Sequence, residues 1–316
     1  MAHSITVVGC GVIGLTSAVC LQESGFNATI ITRDLPPHLT SAVAGAYWYG
    51  GELATHPSRH RWSSASLQEY LRLAKGDYCG VTTFRMLEVF GSPVSDPWFK
   101  DVIPFYERVA SADLPAGYAD GYWMEIPIVE TPRYLAYLMD RFQQNGGVIQ
   151  QRTIADLSEL AAEHPLIVNS TGVYARYVAH DEQVYPLRGQ VIKVEAPHVH
   201  DAFMDDDSFT YILPRRDGCV LGGISQKDNW NLNVDPAVSE DILQRCEKAL
   251  PGIRQSPIIV QLVGLRPGRH EVRLEREQLT NNCTVIHNYG HGGIGFTLSW
   301  GCAADVVNLA RELTAQ

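Results

Sequence analysis

Three features are missing from this chain, and each absence excludes a class of protein. No stretch approaches the roughly 20 consecutive apolar residues that a membrane helix needs, so no membrane protein is expected. The seven cysteines are odd in number and contain no CxxC pair, which favours reduced thiols over a disulfide framework. Basic residues are in deficit, with a formal net charge of -10, which argues against a nucleic-acid partner.

Sorting signals are also missing from the ends of the sequence. MAHSITVVG lacks the basic region of a signal peptide, and the terminal LTAQ is not a peroxisomal tripeptide of the Ser-Lys-Leu type. We therefore expect a cytoplasmic protein. Its 316 residues, 45% hydrophobic and 19% charged, are typical of a globular protein with two domains.

The first fifty residues carry a dinucleotide-binding pattern. SITVV is typical of a buried parallel strand, GCGVIG follows directly, and a helical run then leads to a second strand in NATIITRD. In such a unit, Gly9 permits the tight turn, Gly11 lets the backbone reach a pyrophosphate, and Gly14 allows close helix–strand packing. The helix N-terminus faces the phosphates. A glycine-rich turn that binds nothing is the alternative, but the flanking strands favour a dinucleotide.

The end of the second strand leaves the identity of the dinucleotide open. Asp34 lies roughly 20 residues after the glycines, where an acid commonly binds the ribose hydroxyls. Arg33 precedes it and could bind a 2′-phosphate, which would indicate an NADP-dependent dehydrogenase. Arg33 is equally compatible with a solvent-facing strand end.

A second glycine cluster lies near the C-terminus, in HNYGHGGIGFTLSWG. Gly292, Gly293 and Gly295 precede a helix-like run, and glycine is favoured where φ is positive or where another group approaches the backbone closely. A simple entry loop to a helix is the alternative. Together with the first motif, the cluster favours a bound group in contact with the backbone.

The rest of the chain predicts two interleaved domains. Residues 58–75 indicate an amphipathic helix, 91–130 read as loops and edges, and a second helix begins with a Thr131 cap. RGQVIKVEA, SFTYILPRR and GCVLGGISQ are typical of antiparallel strands, and PIIVQLVGLRPG of one long strand. We assign 1–55, 131–186 and 258–316 to a nucleotide-binding domain, and 56–130 and 187–257 to a substrate-binding domain.

Several segments together resemble the D-amino acid oxidases and the related D-aspartate oxidases, nearly from end to end. These are VVGCGVIGLT at the start, TSAVAGAYW (40–48), VNSTGVYA (168–175), LRGQVIKV (187–194), TYILP with its following LGG, GLRPGRHEVRLEREQ (264–278) and HNYGHGGIGFTLSWGCA (287–303). No one segment is decisive, but their order and combination are highly specific.

The resemblance implies an α/β flavoprotein in which a Rossmann-type FAD-binding domain is interleaved with an α+β substrate domain containing a large, mostly antiparallel sheet. The reaction would transfer a hydride from Cα of a D-amino acid to flavin N5, giving an imino acid that hydrolyses to a 2-oxo acid and ammonia. Molecular oxygen would reoxidise FAD and yield hydrogen peroxide. A second glycine cluster is expected for flavin and not for nicotinamide, which disfavours the NADP alternative.

The resemblance also implies roles for individual residues. Arg266 matches the arginine that forks onto the substrate carboxylate, Tyr211 matches a tyrosine that bonds the same carboxylate, and the Gly293 carbonyl would lie near the substrate amine. From the residues alone, a structural carboxylate partner for Arg266 and a core position for Tyr211 stay open. The implied FAD-binding residues are Gly9, Gly11, Val12, Ile13, Gly14, Arg33, Asp34, Thr40, Ser41, Ala44, Gly45, Thr171, Gly172, Gly292, Gly293, Ile294, Gly295, Phe296 and Thr297. No metal site is expected.

Departures from the family pattern bear on the substrate. HDAFMDDDSF is shorter than the loop that carries a second active-site tyrosine in vertebrate members, and Asp207 lies near that place. It offers Met204 and three aspartates where D-aspartate oxidases have a basic residue, so we expect neutral or apolar substrates. The aspartates could attract a basic side chain, but a solvated acidic turn is the preferred interpretation. The aromatic residues 47–49 are candidates for a pocket wall. A D-aspartate oxidase-like enzyme and an FAD-binding protein without turnover are the alternatives, and a homodimer is left open.

Overall fold

The computed structural model describes residues 3–51 and 56–314, and its strands form two separate sheets. In chain order, the strands are β1 (Ser4–Val8), β2 (Asn27–Thr32), β3 (Ala46–Tyr47), β4 (Val81–Phe90), β5 (Phe105–Arg108), β6 (Asp120–Val129), β7 (Val148–Gln151), β8 (Leu166–Asn169), β9 (Tyr185–Val194), β10 (Ala202–Asp205), β11 (Thr210–Arg215), β12 (Gly218–Gly222), β13 (Gln226–Lys227), β14 (Ile258–Gly268), β15 (Arg273–Thr280) and β16 (Cys283–Tyr289). The α-helices are α1 (Val12–Glu23), α2 (Arg59–Ala74), α3 (Thr131–Gln144), α4 (Ala175–Val178), α5 (Pro236–Ala249) and α6 (Gly295–Thr314).

The first sheet has the order β15-β16-β8-β1-β2-β7 and is the predicted Rossmann-type sheet. Its strands pair in parallel except for β15, which lies antiparallel at the edge. Successive apolar residues point to opposite faces: Val7 packs with α1, α3 and α6, whereas Val8 packs against Leu157, Leu160 and Val178. Burial on both faces explains why these strands are continuous apolar runs.

Two glycines make the β1–α1 turn possible. Gly9 has φ +111°, and a Cβ atom at that position would lie 2.4 Å from the carbonyl oxygen of Ser170. A Cβ atom at Gly14 would lie 1.9 Å from the carbonyl oxygen of Gly9, so only glycine lets the helix approach the turn so closely. The helix–strand packing predicted for Gly14 is therefore present.

The second sheet runs β13-β9-β12-β11-β10-β4-β6-β3, with β14 paired to β9 and β5 to β6. All of these pairs are antiparallel except β4–β10, which confirms the mostly antiparallel sheet. Helix α5 covers one face through Ile242 and Cys246, which pack on Ile192 and Ile212. Residues on the opposite face, including Val191, Leu213 and Val220, belong to the same hydrophobic core as Val7 of the first sheet.

Strand pairing differs from the predicted domain segments in two places. Strand β14 was assigned to the nucleotide-binding segment 258–316, but it pairs with β9 of the second sheet along almost its whole length. The region predicted as loops and edges, 91–130, contains the ten-residue strand β6 at its C-terminal end. In both places the pairing partners of the strand lie in distant parts of the sequence. Residues 52–55, at the end of the first predicted segment, and residues 1, 2, 315 and 316 lie outside the described residues.

Helices α2 and α6 pack closely against each other. A Cβ atom at Gly301 in α6 would lie 2.2 Å from Cα of Trp62 in α2, so the helices cross in backbone contact. Thr131 does not cap α3 as predicted, because it is the first residue of the helix and its hydroxyl donates to the carbonyl of Ala42 at 2.7 Å. Within the described ranges, no helix is long and apolar enough to cross a membrane.

Candidate functional site

Two adjoining cavities lie beside β14, the larger lined by strands of both sheets and the smaller by strands of the second sheet. The larger cavity has a volume of about 820 Å³ and the smaller about 260 Å³. They share a wall formed by Thr40, Val43, Ala44, Leu262, Gly264, Arg266, Gly293 and Phe296. The larger cavity suits an extended ligand, and the smaller suits a ligand of amino-acid size.

The structure brings nearly all of the predicted FAD-binding residues to these cavities. The larger cavity is lined by Gly9, Gly11, Val12, Ile13, Arg33, Asp34, Thr40, Ser41, Ala44, Thr171, Gly172, Gly292, Gly293, Gly295 and Phe296. Gly45, Ile294 and Thr297 line the smaller cavity. Gly14 lines neither, because it packs against the β1–α1 turn.

The N-terminus of α1 forms one wall of the larger cavity. Gly11 is the N-cap residue and offers no side chain to the helix amides. The amide of Val12 donates to the hydroxyl of Ser41 at 3.0 Å. Amides at a helix N-terminus bind anionic oxygens, so this wall fits a pyrophosphate.

Arg33 and Asp34 lie at the rim of the same cavity. The Arg33 guanidinium donates to the Asp34 carboxylate at 2.7 Å and lies 3.9 Å from the ring centroid of Tyr174. This arrangement holds Arg33 by an ion pair and by a cation–π contact. Sequence reasoning missed Tyr174, although it belongs to the VNSTGVYA segment quoted above.

Three buried polar atoms around the larger cavity lack partners within the described residues. They are Ser170 Oγ, Asn288 Oδ1 and His291 Nε2. Burial lowers the pKa of His291 to about 3, so its imidazole is neutral at physiological pH. A buried polar group without a hydrogen bond costs about 1–3 kcal/mol, so these atoms fit a polar ligand that supplies the missing partners.

The C-terminal glycines face the cavities and not the protein interior. Gly292 has φ +54°, and added Cβ atoms at Gly292 and Gly295 would meet nothing closer than 3.9 Å. At Gly293 the nearest atom would be Arg266 Cδ at 3.4 Å. Protein packing therefore does not require glycine at these positions. The open space that they leave, at the start of α6, fits a flat ligand lying against the backbone.

Arg266 stands in the wall that the two cavities share. Its guanidinium donates to the carbonyl of Ile224 at 2.9 Å, and the described residues place no carboxylate within ion-pair distance. The structural carboxylate considered from the sequence is thus not found among them. The guanidinium also hydrogen-bonds the Tyr211 side chain. Because no carboxylate pairs with it among the described residues, Arg266 fits the bidentate recognition of a ligand carboxylate.

Tyr211 lies beside Arg266 in the smaller cavity. Its ring packs against three glycines, and added Cβ atoms at Gly222 and Gly45 would lie 2.2 Å and 3.0 Å from it. Burial raises the pKa of Tyr211, and the neighbouring Arg266 lowers it in part. Tyr211 therefore has the core position considered from the sequence, and it also lines the smaller cavity with its side chain hydrogen-bonded to Arg266.

The opposite end of the smaller cavity is acidic. The Tyr49 hydroxyl lies 2.9 Å from Glu88 Oε1 and 3.1 Å from Asp206 Oδ1. Glu88 is completely buried, and burial raises its pKa to about 7. Sequence reasoning missed Glu88; the available signal was an acid inside the apolar half of VTTFRMLEVF, where an ionised side chain is rare.

The three consecutive aspartates have different surroundings. Asp205 accepts hydrogen bonds from the hydroxyls of Tyr118 and Ser208, and Asp207 accepts from the amide of Gly91 at 2.6 Å. Only Asp206 lines the smaller cavity. Asp207, which the sequence placed near the second active-site tyrosine of vertebrate members, therefore does not line the cavity.

Alternate residues of β14 line the smaller cavity, whereas every residue from 262 to 267 lines the larger one. Leu262, Gly264 and Arg266 all line both of them, and across the strand pair Gly189 and Val191 line the smaller one. This is the two-residue period of a strand. Counting back from Arg266 in steps of two residues could have identified Gly264 and Leu262 from the sequence.

Comparison with known proteins agrees with this geometry. A family model described as FAD dependent oxidoreductase matches residues 4–309. The D-amino-acid oxidase of Rubrobacter xylanophilus is 39% identical over 308 residues, covering 96% of this chain and 94% of that protein. The D-aspartate oxidase of Homo sapiens is 33% identical, covering 98% of this chain and 94% of that protein. The glycine oxidase structure from Bacillus cereus shares the fold, with a TM-score of 0.81, 17% identity, and coverage of 98% of this chain and 95% of that chain.

Proposed function

This chain belongs to the family of FAD-dependent oxidoreductases that contains the D-amino acid oxidases and D-aspartate oxidases, and we propose that it oxidises D-amino acids with neutral, apolar or basic side chains. The products are a 2-oxo acid, ammonia and hydrogen peroxide, with molecular oxygen as electron acceptor. When bound, FAD supplies the acceptor for the hydride that leaves the substrate Cα. The chain supplies binding and orientation.

The larger cavity is the proposed FAD site. The N-terminus of α1 and Ser41 would hold the pyrophosphate, and the glycine segment 292–295 would lie along the flavin ring. Asp34 is available for the ribose hydroxyls at the rim. His291 is neutral and buried, so it would accept or donate one hydrogen bond without adding charge.

In the smaller cavity, Arg266 is proposed to bind the substrate carboxylate, and the Tyr211 hydroxyl to donate a further hydrogen bond to it. The carbonyl of Gly293 is the proposed acceptor for the substrate amine. These three contacts would present one face of the substrate to the FAD site. Such alignment would speed hydride transfer and would select the D enantiomer.

One observation carries the proposal: a half-buried guanidinium lies between the two cavities and has no carboxylate partner among the described residues. The charged residues that line the smaller cavity favour neutral over acidic substrates. Of the described residues that line the smaller cavity, Arg266 alone is cationic, and the far end carries Asp206. A second substrate carboxylate would meet repulsion there, so an activity on acidic D-amino acids is disfavoured.

The test is a peroxide assay of the purified protein against panels of neutral, basic and acidic D-amino acids. We expect a yellow protein that releases peroxide with neutral D-amino acids and little with D-aspartate. A colourless protein that reduces NADP would reject the flavoenzyme. A yellow protein without peroxide on any amino acid would indicate an FAD-binding protein without turnover.

A further inference from the structure

The smaller cavity has a cationic end and an anionic end, joined by tyrosine rings. Arg266 lies beside Tyr211. The ring centroids of Tyr211 and Tyr47 are 6.3 Å apart, and those of Tyr47 and Tyr49 are 5.8 Å apart. Tyr49 then contacts Asp206 at the cavity edge. A ligand whose carboxylate binds Arg266 would direct its other end along these rings toward Asp206.

Behind Tyr49 lies a carboxyl group that the reaction does not use. Glu88 is completely buried, and its Oε2 atom has no hydrogen-bond partner among the described residues. Its other oxygen contacts the Tyr49 hydroxyl, which also reaches Asp206. A hydroxyl has one proton to donate, so it satisfies one of the two carboxyls at a time. Tyr122 is a further donor beside Glu88. Asp206 lines the cavity and has no cationic partner among the described residues, so its carboxylate is the one left for a charged ligand.

We propose that Asp206 and Tyr49, with Glu88 behind them, form a subsite for the cationic end group of a basic D-amino acid side chain. The inference rests on the proposed function, because it takes the substrate carboxylate to be held by Arg266. An ammonium or guanidinium group would supply the cationic partner that Asp206 lacks among the described residues. The rings of Tyr47 and Tyr49 provide an apolar wall for the methylene stem and a cation–π surface for the charged group.

The arrangement separates a basic substrate from the other classes. An apolar side chain can pack on the tyrosine rings but supplies no donor to Asp206. An acidic side chain would bring a third carboxylate to the same end, and like charges at such distances disfavour binding. The solvated acidic turn considered from the sequence accounts for the exposed carboxylate of Asp206, but not for the buried one of Glu88 behind it.

The experiment is a calorimetric titration of the FAD-loaded protein with 6-aminohexanoate and with hexanoate. Both have a carboxylate for Arg266 and lack the α-amine, so neither can be oxidised, and they differ only in the terminal ammonium. We expect 6-aminohexanoate to bind at least about tenfold more tightly, as for a charged hydrogen bond. Asp206→Asn and Glu88→Gln should each reduce this ratio. The matched control is Asp201→Asn, which removes an exposed charge just before β10 and lines neither cavity.

Equal affinities for the two ligands in the wild type, or a ratio unchanged in Asp206→Asn, would overturn the subsite. The kinetic counterpart is the ratio of kcat/KM for D-lysine to that for D-norleucine, which should fall in Asp206→Asn and hold in Asp201→Asn. A preference for 6-aminohexanoate without peroxide from any D-amino acid would reject the proposed function and keep the subsite. The two failures are therefore distinguishable.

Discussion

The guanidinium of Arg266 lies directly on the backbone of Gly189. A Cβ atom at Gly189 would be 2.6 Å from the guanidinium carbon and from both of its terminal nitrogens. On the other side, a Cβ atom at Gly293 would be 3.4 Å from Arg266 Cδ. The bare backbone of Gly189 thus leaves room for the guanidinium, and the carbonyl of Ile224 holds it there without an ion pair.

Gly189→Ala should displace this guanidinium. The added methyl group occupies space that the arginine fills, so kcat/KM for a neutral D-amino acid should fall at least about tenfold. The matched control is Gly76→Ala, where the nearest atom to a new Cβ is 3.6 Å away on an exposed turn. Wild-type kinetics in Gly189→Ala would show that the position of Arg266 is not set by this contact.

Arg266→Lys tests whether the guanidinium binds the substrate carboxylate through two parallel hydrogen bonds. Lysine keeps the charge but cannot donate two parallel bonds to one carboxylate. We expect the apparent affinity for substrate to fall by about 1.5–3 kcal/mol, mostly through KM. Arg276→Lys, on the exposed edge strand β15, is the control and should leave KM unchanged. A wild-type KM in Arg266→Lys would show that Arg266 does not bind the substrate carboxylate bidentately.

Gly295→Leu and Gly14→Ala should separate cofactor binding from folding. A Cβ at Gly295 meets no protein atom closer than 3.9 Å, and leucine favours a helix more than glycine does. Gly295→Leu should therefore lower FAD affinity without lowering the Tm of the apoprotein. Gly14→Ala should lower that Tm, because its Cβ would lie 1.9 Å from the carbonyl oxygen of Gly9. The reverse pattern would contradict a cavity-facing Gly295.

Tyr211→Phe removes a hydroxyl and keeps the ring that packs between Gly45 and Gly222. A single hydrogen bond contributes about 0.5–1.5 kcal/mol, so kcat/KM should fall by roughly two- to tenfold with an unchanged Tm. A lower Tm with unchanged kcat/KM in Tyr211→Phe would mean that the hydroxyl stabilises the fold and does not bind the substrate.

Glu88 should make the stability of the protein depend on pH. Its buried carboxyl is faced by Tyr49, Tyr122 and Asp206, and its pKa is raised from 4.5 to about 7. The folded protein therefore binds this proton more tightly than the unfolded chain does. The resulting stabilisation is complete below about pH 4 and is lost as the pH rises through 7.

The measurement is urea unfolding of wild type and Glu88→Gln in excess FAD at pH 5 and pH 8. Glutamine cannot ionise, so the free energy of unfolding of the variant relative to wild type should increase with pH, by up to about 3 kcal/mol. A difference that does not change with pH would mean that Glu88 does not titrate in this range.

The cofactor end of the site could be predicted from sequence because its determinants are local. Gly9 and Gly14 belong to one turn and one helix, and the cluster from Gly292 to Gly295 is contiguous. Each constrains the backbone within a few residues of itself. The match with the family then extended these local patterns to Thr40, Ser41 and Thr171, which line the larger cavity.

The substrate end could be predicted only in part because its contacts join distant segments. Tyr49 meets Glu88 and Asp206 across 39 and 157 residues of sequence. The pairing of β14 with β9, which places Arg266 over Gly189, is equally non-local. Apolar periodicity predicts that such strands exist, but it does not tell which strand lies beside which.

The most direct test of the central claim is kcat/KM for peroxide release with D-methionine and with L-methionine, in wild type and Arg266→Ala. We predict turnover with the D enantiomer only, and a loss of at least about tenfold in the variant while its flavin spectrum is retained. Equal turnover of both enantiomers, or full activity in Arg266→Ala, would contradict the claim that Arg266 holds the substrate in a single orientation beside the flavin.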